Sequence, residues 1–133
     1  MTERNQNEGE REIDQFILDE IDSVPQLEAL LLLWNSRPVI WTPEELARRL
    51  YVSTELSQSL LQELVRKRLI TRNQGSVEGY RYESVTEETD GLIGGLDNLY
   101  RREVVRVSTV IHAKPSSAVR DFARAFRFTK ERE

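Results

Sequence analysis

The 133-residue chain has no cysteine and a single histidine, His112. The first absence excludes a disulfide framework and any cysteine-ligated zinc site, and it fits a reducing compartment. The second leaves no histidine cluster to bind a metal. There is no HExxH pair and no glycine-rich phosphate loop after a strand. His112 itself reads as a partly buried polar residue near a helix end. The adjacent acids Asp19-Glu20 and Glu87-Glu88 read as helical surface charge, since adjacency does not place carboxylates in a cleft. Together these features point away from an enzyme, and no cofactor is expected. Long apolar runs are missing too. The longest, Ala29 to Trp34, is far short of the roughly 20 residues that span a bilayer. Residues 1–12 are polar and acidic, unlike a signal peptide. A soluble, cytoplasmic protein is the expectation, and neither an internal repeat nor a low-complexity tract is seen.

What is present is 38% hydrophobic and 32% charged residues, enough for one modest core. The formal net charge of −4 is unevenly spread. Residues 1–22 carry eight acids against two bases, and residues 112–133 carry six bases against three acids. Residues 42–85 are close to neutral, so the overall acidity does not exclude a nucleic-acid partner.

Residues 1–10 have no apolar anchor after Met1 and are expected to be disordered. Ile13, Phe16, Ile17 and Ile21 then recur at steps of three and four, one apolar helix face. Ser23, Pro25 and Gln26 mark the start of a second helix with Leu27, Leu30, Leu31 and Trp34 inward. Val39-Ile40-Trp41 reads as a short buried strand. Thr42-Pro43-Glu44-Glu45 starts a third helix, with Leu46, Ala47 and Leu50 inward. After a turn at Tyr51-Val52, Ser53 caps a fourth. Its inner face is predicted to be Leu56, Leu60, Leu61 and Leu64, and its outer face Glu55, Gln58, Ser59, Gln62 and Arg66. Leu69–Arg72 and Tyr80–Glu83 read as two strands joined by a loop holding Gly75 and Gly79. Helix, short strand, helix, turn, helix and hairpin in that order make a winged helix.

From about Thr86 a long helix is predicted, with Ser84 and Glu87 as its capping box. Ile93, Leu96, Tyr100, Val104, Val107 and Ile111 form its stripe. Gly91, Gly94 and Gly95 weaken its first turns or mark close helix approach. After Pro115 a last helix is expected, with Val119, Phe122, Ala123 and Phe126 on one face and Arg120, Arg124 and Arg127 around it. The expected layout is an acidic tail (1–10), a winged-helix domain (11–85) and a C-terminal helical region with a basic end (86–133). The fold class is mainly α with a small β-hairpin wing.

Pro43-Glu44-Glu45-Leu46-Ala47, Leu50, Val52-Ser53, Leu60-Leu61, Leu64 and Leu69-Ile70 carry a family likeness. On these residues the chain resembles winged helix-turn-helix transcription regulators of the MarR/PadR kind, without a gap over residues 42–70. Two positions depart from the pattern. Tyr51 in the turn and Arg68 before the wing stand where such regulators often have glycine, and both ask for unusual backbone or altered loop geometry. The resemblance implies a dimer on duplex DNA, with the second helix of the motif in the major groove. Carried over, the DNA-binding residues are Ser53, Thr54, Glu55, Gln58, Ser59, Gln62, Arg66 and Lys67, with Arg72, Asn73 and Arg81 from the wing. Dimerisation falls to Ile93, Leu96, Tyr100, Val104, Val107, Ile111, Phe122 and Phe126.

Two other readings stand beside this one. The near-neutral motif suits a winged helix that holds a protein partner, and the basic tail can serve the same end. A membrane surface is the weakest candidate, because the tail's apolar face is short. An effector pocket lined by Trp34, Trp41 or Tyr100 cannot be told from core packing in the sequence.

Overall fold

The computed structural model describes residues 2–83 and 86–114, with backbone alone for residues 2–7. Six helices and one hairpin follow in order: α1 (Thr2–Glu20), α2 (Val24–Ser36), α3 (Pro43–Leu50), α4 (Thr54–Arg66), β1 (Ile70–Gln74), β2 (Glu78–Tyr82), α5 (Glu87–Arg102) and α6 (Val104–Ala113). Helix α1 runs from Thr2, through the segment where disorder is predicted. Its first turns are polar, and glutamate, glutamine and arginine cost little in a helix. None of the described helices is long and apolar enough to cross a membrane.

Local chemistry sets most helix starts. The Ser23 hydroxyl accepts the Gln26 N–H, and the Gln26 side chain returns to the Asp22 N–H at 2.7 Å. Thr42 and Ser53 cap α3 and α4 in the same way, accepting from Glu45 and Leu56. Such a cap contributes about 1 kcal/mol. The cap of α5 is Thr86, which accepts the Thr89 N–H at 3.0 Å; the predicted Ser84 lies outside the described residues. The long helix is in fact two, because Glu103 leaves helical geometry (φ −136°, ψ 58°) between α5 and α6.

The core joins both halves of the chain. Ile17, Ile21, Leu27, Leu30, Leu33, Leu46, Leu61, Leu64, Ile93, Leu96, Leu99 and Val107 are fully buried. Helix α1 lies against α5 and α6 on one side, and α2 touches α3, α4, α5 and β2. Close approach accounts for two glycines in α5: a Cβ at Gly94 would meet Trp34 at 3.2 Å, and one at Gly95 would meet Ile13 at 2.9 Å. The Trp34 indole and the Tyr82 hydroxyl both donate to the Asp90 carboxylate, at 3.1 and 2.7 Å. The bond from Tyr82, then that from Trp34, holds the Asp90 carboxyl below the usual carboxylate range.

Tyr100 ties α5 to α2 by donating to Glu28 at 3.0 Å. Burial, then the Glu28 bond and charge, pushes its phenol up to about 12. The folded state therefore keeps the proton after the unfolded chain begins to lose it. Its stabilising effect is complete below the unfolded value of about 10 and fades as pH rises through 12. We predict that Tyr100→Phe flattens the loss of stability between about pH 10 and 12, read by denaturant melts across that range. A wild-type chain with no slope there that Tyr100→Phe removes would refute the prediction.

The Val39–Trp41 strand is reduced to a single bridge. Trp41 exchanges backbone hydrogen bonds with Tyr80 at 2.7 and 2.8 Å, while Val39 is exposed. The hairpin pairs Ile70 with Tyr82 and Gln74 with Glu78. Gly79, predicted in the loop, lies in β2 opposite Asn73.

Candidate nucleic-acid interface

Helices α3 and α4 meet at the turn Tyr51–Ser53. The end of α3 is left-handed: Tyr51 sits at φ 58°, ψ 45°, with its N–H and that of Val52 both on the Ala47 carbonyl. Arg68 repeats this after α4 at φ 63°, where the Leu69 N–H reaches the Leu64 carbonyl at 3.0 Å. Of the two alternatives at these positions, unusual backbone rather than altered loop geometry is the one the structure has. A residue with a Cβ costs about 1 kcal/mol more than glycine in such a place.

Helix α4 packs through Leu60, Leu61 and Leu64. Its inner face differs from the prediction at one end. Leu56 is 41% exposed, and Ser57, 0% exposed, takes the inward place by donating to the Pro43 carbonyl at 2.7 Å. That bond locks α4 on α3. The opposite face presents Thr54, Glu55, Gln58, Ser59, Gln62 and Arg66, all exposed, as predicted. At 1.5 Å per residue this ridge is roughly 18 Å long. Gln58 and Gln62 stand one turn apart on it. Ser53 is exposed at its start, with its hydroxyl accepting the cap bond from Leu56.

The basic residues sort differently from the sequence expectation. Arg66 is exposed but bound to Glu63 at 2.6 Å, and this bond, then the Glu63 charge, raises its guanidinium above the ordinary value. Lys67 does not belong to the ridge. Its side chain is only 10% exposed and turns to the end of α1, where it donates to the Glu20 carbonyl and to Asp22 at 2.8 Å. Helix α1 has no base in its own last turn, so its partly negative end attracts a cation from elsewhere.

In the wing, Arg72 pairs across from Tyr80 and Thr71 from Arg81, which puts the two arginines on opposite faces. Arg72 is exposed, whereas Arg81 is half-buried near Glu83 at 3.5 Å. Asn73 closes the wing's own loop by donating to the Val77 carbonyl.

Arg48 and Arg49, which count among the bases of the motif but not among the DNA-binding residues carried over by the resemblance, are exposed in the last turn of α3. With Arg68 and Arg72 they form no ion pair among the described residues. Their signal was available: two adjacent arginines at the end of the helix that precedes the turn. An open cleft of about 570 Å³ lies there, lined by Glu44, Ala47, Arg48, Tyr51, Val52, Ser53 and Thr54.

Of the predicted dimerisation stripe, Ile93, Leu96, Val107 and Ile111 are buried in the chain's own core. Tyr100 is half-buried and Val104 is 48% exposed, leaving these two open to another chain. Phe122 and Phe126 lie outside the described residues. The polar atoms of the proposed effector-pocket residues are engaged internally: Trp34 with Asp90, Trp41 with Ser36, Tyr100 with Glu28. His112 is exposed in the last turn of α6 rather than partly buried. Among the described residues no group of three or more histidine, aspartate or glutamate side chains is placed to hold a metal.

No protein-family model and no curated relative matches the chain. Solved structures do. A MarR family protein from Bacillus stearothermophilus aligns over 98% of this chain and 89% of its own, at TM-score 0.52 and 17% identity. MepR of Staphylococcus aureus, solved in complex with DNA, aligns over 99% and 98%, at TM-score 0.54 and 15% identity. The transcriptional regulator Tm0710 from Thermotoga maritima aligns over 98% and 95%, at TM-score 0.50 and 18% identity. At such identities the likeness is one of fold: the chain has the winged helix-turn-helix fold of these proteins.

Proposed function

We propose that this chain is a transcription regulator that binds duplex DNA as a homodimer, with α4 in the major groove. The observation that carries the reading is the exposed polar ridge of α4, held by Ser57 and free of packing duties. Gln58 and Gln62 suit bidentate contacts to adenine, and Thr54 and Ser59 suit bases or phosphate. Arg48, Arg49 and Arg72 supply cations for the backbone. The fold shared with MepR, itself solved on DNA, supports the same docking. Blocking transcription is the simplest regulatory outcome.

Dimerisation is supported by apolar side chains left outside the core: Val104 and Val105, 48% and 75% exposed at the start of α6, and Leu18 on α1. A groove of about 250 Å³ between α1 and α5 has Phe16 and Leu92 as its floor, and Glu12, Asp19, Glu20 and Glu88 among its lining. It suits the basic, phenylalanine-bearing segment 119–132 of the same or a second chain.

One observation favours a protein partner instead. Arg66 is neutralised by Glu63, Lys67 is withdrawn, and Glu55 stands on the ridge, so the ridge itself offers little positive charge. Selection from a random duplex pool at low and moderate salt separates the readings. Enrichment of an inverted repeat with a clear salt dependence is expected. Gln58→Ala should then relax preference at one base pair, losing about 1–3 kcal/mol of discrimination, while Arg66→Glu weakens binding to all sequences. A chain that retains no duplex at either salt refutes the DNA reading and favours the protein partner.

A further inference from the structure

Tyr51 holds an unfavourable backbone conformation and gains no packing for it. Its φ of 58° lies in the left-handed region, where a Cβ is crowded, and its side chain is 95% exposed. The left-handed turn closes α3, with the Tyr51 and Val52 N–H groups on the Ala47 carbonyl, but the aromatic ring adds nothing to that closure and faces solvent. Residues held in sparsely populated backbone regions cluster at active sites, ligand clamps and switch regions. The position of this one is specific. Tyr51 stands in the turn between α3 and α4, in the cleft with Arg48 and Thr54, directly ahead of the polar ridge. The cleft also holds one acid, Glu44, so a highly charged small anion would meet repulsion there. A neutral hydroxyl donor and an arginine without an ion pair on one open cleft instead suit a single backbone phosphate, whose oxygens accept from tyrosine as from serine or threonine.

We infer that Tyr51 is a DNA-contact residue, its hydroxyl donating to a phosphate at the edge of the groove that α4 enters and so setting the height and register of that helix. This rests on the DNA reading above and adds a residue to it. It also accounts for the departure from glycine: the turn gives up backbone ease and gains a contact that glycine cannot make. The contact carries no positive charge, so it adds affinity without releasing a counterion.

The test uses the full chain and a labelled mixed-sequence duplex. Affinity is measured for wild type, Tyr51→Phe, Tyr51→Gly and Arg48→Gln over a range of salt, and thermal midpoints are recorded alongside. Tyr51→Gly should melt at or above the wild-type midpoint, yet bind about tenfold more weakly. Tyr51→Phe should show the same loss of affinity at an unchanged midpoint. Both should keep the wild-type slope of log affinity against log salt, whereas Arg48→Gln should make it shallower. Wild-type affinity in both tyrosine variants overturns the inference and leaves the DNA reading intact. A loss in Tyr51→Gly alone overturns the hydroxyl–phosphate contact. A wild-type chain that does not bind the duplex overturns this inference together with the reading on which it rests.

Discussion

Gly79→Ala is expected to destabilise the chain by about 3 kcal/mol, roughly 1–3 from overpacking and 1 or more from backbone strain. The geometry leaves no easy relief. Gly79 sits at φ +151°, and an added Cβ would lie 2.6 Å from Ile40 Cγ2 and 2.7 Å from the Trp41 carbonyl oxygen. Carbon atoms in contact prefer about 3.5–4.0 Å. Ile40 could turn aside, but the Trp41 oxygen accepts the Tyr80 N–H at 2.8 Å, and moving it breaks the bridge that ties the wing to the segment before α3. Small domains have only about 5–15 kcal/mol in total, so urea melts will show the loss clearly. The wing should loosen first, with Tyr80 and Tyr82 gaining solvent. A change below about 1 kcal/mol would mean that the wing shifts freely, and that the bridge at Trp41 does not fix it.

The same glycine shows where sequence reading stops. Beside Gly75 and between two candidate strands, Gly79 looks like loop punctuation. Its role comes from Ile40 and Trp41, some forty residues earlier, and no local pattern reports them. What local chemistry decides was legible. Ser23, Thr42 and Ser53 cap because a hydroxyl reaches an N–H three residues on, and the polar face of α4 follows from helical spacing alone. The left-handed backbone at Tyr51 and Arg68 was one of two alternatives, and it was raised only by the resemblance, through the glycine that such regulators often carry there. Other misses have causes that residue spacing does not report. Ser57 displaces Leu56 from the inner face because Pro43 offers it a carbonyl. The apolar stripe runs on through Glu103, so periodicity could not show the break between α5 and α6. In the interface, side-chain identities on the ridge were readable, whereas the fate of each cation was not. Arg48 and Arg49 count among the bases of the motif but were not assigned to DNA, and Arg66 and Lys67 were treated alike because they are neighbours in sequence.

Those two neighbours should separate in experiment. Lys67→Met is expected to cost about 2 kcal/mol of stability and to leave the DNA affinity of the folded chain unchanged, while Arg66→Ala should do the reverse. Lys67 lies at the end of α1, donating to the Glu20 carbonyl and pairing with Asp22. Removing one member of a buried pair costs about 3–5 kcal/mol, because the other charge stays behind unpaired. Two features reduce that figure here. Asp22 is 28% exposed, and Lys114, whose side chain is 5% exposed, lies 3.8 Å from its other oxygen while also donating to Ile17 and Ile21 carbonyls. The end of α1 thus binds a lysine from each half of the chain, one following α4 and one following α6, and either alone holds it less well. Arginine should not substitute for Lys67, since a planar fork cannot occupy a site shaped for a compact ammonium. Arg66 has the opposite surroundings. It is 69% exposed and among the described residues is bound to Glu63 of its own helix, a pair worth a few tenths of a kcal/mol. A double-mutant cycle of Lys67→Met with Asp22→Asn should show coupling of about 1 kcal/mol or more. Additive effects in that cycle, or a Lys67→Met chain of wild-type stability that has lost duplex affinity, would return Lys67 to the ridge.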